Sequence, residues 1–352
     1  MKPQYFIAIL FATSLYWMYL LYAPFLMVIT IAALLAISTA TIHDYLEEKL
    51  CSKLAGSIVS SLLLALLFFA PLGYFLASLT IWLNHLQPDT LQRVELYINS
   101  MIVNPPEYLL FLKPYFADAF KGVNLNTITA NALAIAAKIG AFSAGFLKNA
   151  FLVVVFYFFA LYNGKVITDF LKHALQMSVE ESSLLARELS AVMSVVFYSI
   201  IATAMLEGAL FGIVVSFLGY DGLLFGIMYG FTSLIPVVGG ILMWLPFMIY
   251  EFAIGNSNYA IFIALYSVVV ISIGADTFVK PLIIKWINQK LLNENDAHMN
   301  ELVIFFAIIA GLTTFGFWGM ILGPAITAFF LTILKLFEAQ TAACDLESHQ
   351  SR

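Results

Sequence analysis

The chain of 352 residues is 62% hydrophobic and 11% charged, with a mean hydropathy of +0.95. Soluble domains carry about one quarter charged residues, so this balance excludes a soluble globular protein and makes the lipid bilayer the first partner. The net charge of −5 comes without a clustered basic face, which sets nucleic acid aside as a partner. Two cysteines, Cys51 and Cys344, make no disulfide framework.

The apolar runs are long and do not alternate over about ten residues, as the strands of an outer-membrane barrel would. The expected fold class is therefore all-α, a polytopic α-helical membrane protein with about eight hydrophobic segments. Met1-Lys2 leads into an apolar run with no small-residue cleavage site, which reads as an uncleaved first span with a cytoplasmic N-terminus. Spans one (Tyr5 to Tyr22) and two (Phe25 to Ile42) form a hairpin turning at Ala23-Pro24. A polar loop from His43 to Lys53 precedes span three, Leu54 to Leu83, and closes an N-terminal membrane segment, 1–83.

Residues 84–145 mix prolines and charges with apolar residues at helical spacing and read as extracytoplasmic amphipathic helices. Their Ala- and Gly-rich end, 126–145, suits either an oligomer contact or helix packing, since small residues serve both. Residues 146–193 hold span four, Phe146 to Tyr162, with a helix stop at Asn163-Gly164-Lys165, then a cytoplasmic amphipathic helix starting near Ser178. Residues 194–337 form the expected transport core. Span five runs from Ser194 to Leu218, and Tyr220-Asp221 caps the turn into the stretch Gly222 to Phe252. Span seven (Tyr259 to Val279) and a second apolar stretch, Leu302 to Phe337, follow, with a polar cytoplasmic tail at 338–352.

Both apolar stretches are broken. Pro236, Gly239 and Gly240 interrupt the first, and Gly311, Gly316, Gly319, Gly323 and Pro324 the second. Proline removes a backbone donor, and glycine tolerates angles that other residues avoid. Breaks in lipid are costly unless protein or a wet cavity takes up the freed groups, and paired broken segments point to a transporter's binding site. As one helix, Gly222 to Phe252 would run roughly 46 Å, too long for one crossing of a ~30 Å core and too short for two.

Charge agrees with a hairpin. If both broken stretches cross the membrane, Lys and Arg divide evenly between the two sides. If each enters and leaves on one side, Lys280, Lys285 and Lys290 join the cytoplasmic face and a clear positive-inside bias appears. The expectation is an inverted repeat of two opposed re-entrant hairpins, with long bent spans as the alternative.

Glu207 lies mid-span, where a carboxylate faces a cavity or a partner. It reads either as a group coupling transport to H⁺ or Na⁺, or as a neutral interhelical hydrogen bonder. Asp276, one turn before Lys280, reads as an interfacial ion pair or as part of an inner gate. Glu251 and Asp221 read as interfacial and solvated. Thr232, Ser233, Thr313 and Thr314 bring hydroxyls to the two breaks, for an ion or polar solute or for the freed backbone itself. No zinc-protease, nucleophile-elbow or phosphate-loop motif is present, so no enzyme is expected and no cofactor beyond the coupling ion.

The C-terminal half resembles the autoinducer-2 exporter family, or PerM-like permeases. The residues that carry the resemblance are Tyr162-Asn163-Gly164, Ile235-Pro236-Val237-Val238-Gly239-Gly240, Pro281-Leu282-Ile283, and Gly311 with Phe315-Gly316, Gly319 and Pro324. The resemblance implies an eight-segment permease of the bacterial inner membrane that exports a small polar solute or signal, as a homo-oligomer with a pentamer the candidate assembly. Some members look like Na⁺/H⁺ antiporters, so a monovalent cation is the alternative cargo. A non-transporting scaffold is the alternative from another class. The sequence departs from the family pattern at Asn300-Glu301, where a His-Pro is usual, and in a long loop from Lys285 to Asn300.

Overall fold

The computed structural model describes residues 3–85, 92–94, 96–98, 100, 128–175, 178–235, 238–279, 281–283, 285 and 300–350. They are helical almost throughout, and no strand occurs among them. Among the described residues six stretches are long and apolar enough to cross a membrane: Tyr5–Ser38, Lys53–Ser78, Ala144–Phe170, Glu180–Phe217, Ser257–Ala275 and Leu302–Lys335. Two shorter apolar helices join them. The protein is a polytopic all-α membrane protein. Most of 84–145, together with Pro236, lies outside the described residues.

The N-terminal hairpin is corrected. Helix α1 runs unbroken from Pro3 to Ser38 with Pro24 inside it. Proline costs a helix one hydrogen bond, but transmembrane helices tolerate it because neighbouring groups satisfy what is freed. The short α2 (Ala40–Leu50) and long α3 (Lys53–His85) follow. The stop at Asn163-Gly164 is also absent, since α4 continues from Ile128 to Leu175. The helix expected near Ser178 begins there but runs on as α5, Val179–Phe217, merging with span five. Its start is a capping box: the Glu181 N–H donates to the Ser178 hydroxyl (3.1 Å) and the Ser178 N–H to the Glu181 carboxylate (2.9 Å).

The described chain divides into two units. One comprises residues 1–66, 148–197 and 288–352. In it, α1 is exposed along its first two-thirds and buried only from about Val28 to Ala36. Thr39, just beyond α1, shares a hydrogen bond with the Tyr157 hydroxyl (2.7 Å), and the Ser194 hydroxyl donates to the Ser38 carbonyl (2.9 Å). Helix α9 (Glu301–Phe315) ends in a tight turn, Gly316–Trp318, where Gly316 is left-handed (φ 66°), and α10 (Gly319–Gln350) returns. Gly311 lies against Gly319 and Gly323, and Ala307 against Gly323, so the arms are antiparallel.

The second break is thus a hairpin, but an unequal one. Its outgoing arm has 15 residues and its return arm 32, about 22 and 48 Å. After Pro324 nothing in the sequence stops the helix, which runs on into the polar tail.

The other unit comprises residues 67–147 and 198–287. It holds the second part of α5, then α6 (Gly222–Ser233), α7 (Gly239–Ala253), α8 (Ser257–Tyr266) and 13 residues of π-helix, Ser267–Val279. Helices α6 and α7 form the first hairpin. Phe225 and Phe247 meet edge to face at 4.9 Å, and Tyr229 and Met243 share the same core, so residues pair symmetrically about position 236. At about 18 and 22 Å, neither arm could cross a ~30 Å core.

Candidate functional site

Glu207 sits in α5, 5% exposed. Two helical steps of four residues before it lie Thr203 and Ser199, so the three share one side of the helix. The hydroxyl oxygens of Ser199 and Thr203 are buried and have no hydrogen-bond partner among the described residues. Helical Ser and Thr usually bond back to the preceding turn, and leaving a hydroxyl unmade costs about 1–3 kcal/mol. Sequence reasoning singled out Glu207 but missed these two. The signal was the i, i+4, i+8 spacing of polar residues in an otherwise apolar span.

The first hairpin packs directly beside this polar lane. A Cβ on Gly208 would lie 2.6 Å from the Gly226 carbonyl oxygen, and one on Gly230 would lie 2.8 Å from that of Ala204. Only bare backbone allows α5 and α6 to come so near. Since Gly230 opposes Ala204 and the helices run antiparallel, the break after Ser233 lies level with the turn of α5 that carries Ser199 and Thr203. Gly239 and Gly240 are there for space: Gly239 abuts the Thr232 carbonyl, and a Cβ on Gly240 would come within 2.7 Å of the Tyr229 hydroxyl.

The hydroxyls at the breaks are engaged with their own helices. Thr232 donates to the Tyr229 carbonyl and Ser233 to that of Gly230, each at 3.0 Å, while Thr313 reaches Ile309 (3.0 Å) and Ala310 (2.9 Å). They satisfy backbone at the break, and each keeps acceptor lone pairs for a cation or solute hydroxyl. Thr232 and Ser233 are half-buried, whereas Thr313, Thr314 and Gly316 are exposed and Gly311, Gly319 and Pro324 buried.

Glu207, Thr232, Ser233, Gly239 and Gly240 belong to one unit and Gly311, Thr313, Thr314, Gly316, Gly319 and Pro324 to the other. Asp276 lies in the π-helical segment, and its predicted pairing with Lys280 falls outside the described residues.

Of the two acids read as solvated, Asp221 is exposed and Glu251 is not. Asp221 caps α6, accepting from the Leu224 N–H (3.0 Å) and from the Tyr74 hydroxyl (3.1 and 3.2 Å). Glu251 is wholly buried. Among the described residues no group of three or more His, Cys, Asp or Glu side chains comes together to hold a metal.

The model of the family described as AI-2E family transporter matches residues 5–339. Proteins from two strains of Helicobacter pylori, each named "Putative transport protein", are 32% identical over 338 residues. The match covers 96% of this chain and 97% or 96% of theirs. A Mycobacterium tuberculosis protein of similar name is 29% identical over 119 residues, 34% of this chain and 28% of that protein. No solved structure matches.

Proposed function

On the premise that the chain belongs to the AI-2E transporter family, we propose that it is a secondary transporter of the bacterial inner membrane. It exports a small polar solute and is coupled to H⁺ or Na⁺ through Glu207. The observation that carries this reading is the lane on α5: a buried carboxylate in an apolar span with two unpartnered hydroxyls in line, beside the tip of a broken hairpin. An acid at that depth is costly and earns its place through function. The hairpin tip supplies hydroxyl lone pairs and half-helix ends to a solute in the manner of other broken-helix carriers. The working assembly is a homo-oligomer in which the long exposed face of α1 meets lipid or a neighbouring subunit.

One helix where two spans were expected reverses the parity at the N-terminus. Keeping Lys49, Lys53 and the later basic loops in the cytoplasm, as the positive-inside rule favours, places the N-terminus outside.

Transport in proteoliposomes tests the reading, with pH and Na⁺ gradients imposed separately on wild type and Glu207→Gln. Gradient-driven uptake of a polar solute supports export coupling, whereas Na⁺/H⁺ exchange alone makes the cation the cargo. Wild type that moves nothing under any gradient would leave a scaffold. A Glu207→Gln variant that keeps wild-type coupling sinks the role of Glu207.

A further inference from the structure

A second carboxylate, outside the Glu207 lane, is built into a polar cluster by two helix endings of the same kind. Helix α7 stops because Gly255 turns left-handed (φ 93°). The Gly255 N–H bonds the Phe252 carbonyl (3.1 Å) and the Asn256 N–H returns to that of Glu251 (2.9 Å). This is the helix ending in which a C′ glycine folds the next residue back over the last turn. The fold-back lays the Asn256 amide on the Glu251 carboxylate, where Nδ2 donates to Oε2 at 3.0 Å. Helix α5 ends identically: Gly219 is left-handed (φ 89°), its N–H bonds Ser216 and the Tyr220 N–H bonds Val215, both at 3.1 Å. Tyr220 is thereby delivered against α7, its ring 5.0 Å from that of Phe247 and 6.3 Å from that of Tyr250.

Glu251 is 0% exposed, and among the described residues its Oε1 has no hydrogen-bond partner of full geometry. No cationic side chain pairs with it among the described residues. It stands in the last turn of α7, where the helix dipole is already negative, so the position favours a cation. Burial, then the hydrogen bond and the charge of the neighbouring Glu251 carboxylate, push the Tyr220 hydroxyl above its ordinary range, keeping it a neutral oxygen.

We propose that Glu251, Asn256, Tyr220 and Tyr250 form a binding site for a hard monovalent cation, with Oε1 of Glu251 as its anionic ligand. The donor set is all oxygen, as such cations require. One carboxylate matches one positive charge, and the nearest acid along the chain from Tyr220, Asp221, is committed to Leu224 and Tyr74. Asn256 and Tyr259 are exposed at the rim and give the ion a way in. The site is independent of transport through Glu207, because binding alone tests it.

Purified full-length protein in detergent would be melted in increasing NaCl, with choline chloride holding ionic strength constant. The expected result is a saturable Na⁺-dependent rise in Tm for wild type whose amplitude falls several-fold in Glu251→Gln. Tyr220→Phe keeps the ring packing and removes one oxygen, so its half-maximal Na⁺ concentration should rise about tenfold. Equal melting of wild type in NaCl and choline chloride overturns the proposal, as does a Na⁺ shift of wild-type size and midpoint in Glu251→Gln. Should Glu251→Gln fail to fold, an unchanged Na⁺ midpoint in Tyr220→Phe overturns it equally.

Discussion

The close approach of α5 and α6 makes Gly226→Ala a sensitive perturbation. Its added Cβ would stand 2.7 Å from the Gly208 carbonyl oxygen and 3.3 Å from the Gly212 Cα, whereas carbon and oxygen ordinarily rest at about 3.3–3.6 Å. The contact is backbone, with no side chain to swing away, so the helices must part by roughly 0.6 Å or more. Overpacking of this kind costs about 1–3 kcal/mol, offset by up to about 1 kcal/mol from the better helix propensity of alanine. Gly164→Ala is the control, since a Cβ there meets nothing within 4 Å and only the propensity gain remains. In a detergent thermal-shift assay, Gly226→Ala should melt several degrees below Gly164→Ala, at about 2 °C per kcal/mol. If Gly226→Ala melts at or above Gly164→Ala, the glycine interface is not what holds α6 against α5.

Asp221→Ala removes the α6 cap and the Tyr74 partner together, and thermal unfolding should show a loss of about 1 kcal/mol. In a background lacking Cys51 and Cys344, an impermeant thiol reagent applied to intact cells should label a cysteine at Asn258 but not one at Gln289. The reverse pattern would refute both the hairpin topology and the charge assignment behind it.

The first hairpin was legible in the sequence because its cause is local. Pro236 interrupts a helix, and the glycines beside it let the chain fold back closely. Glu207 was legible too, since a lone acid in an apolar span stands out. Pro24 and Asn163-Gly164 misled because both residue types break helices in water but are carried through in long apolar helices with other hydrogen-bond partners.

Glu251 was hidden for a different reason. Its position at the end of an apolar run signals the interface, and only the left-handed turns at Gly219 and Gly255, on two separate helices, fold Tyr220 and Asn256 over it. A glycine followed by a polar residue at each helix end was the available clue, but the meeting of the two ends is a tertiary fact. The unequal arms of the second hairpin were likewise unreadable, because the return arm carries no stop signal that fixes its length.

Helix α1 couples the protein to the thickness of its membrane. Its apolar stretch of 34 residues is about 51 Å long. Even inclined by 40°, the steep end of what spanning helices adopt, it would cover about 39 Å of depth against roughly 30 Å of hydrocarbon. The surplus must be absorbed by a bend at Pro24 or by local swelling of the bilayer. Since residues 5–24 are exposed, no contact among the described residues fixes that compromise, and where this face meets lipid, lipids of different acyl length will each set their own inclination for this one helix.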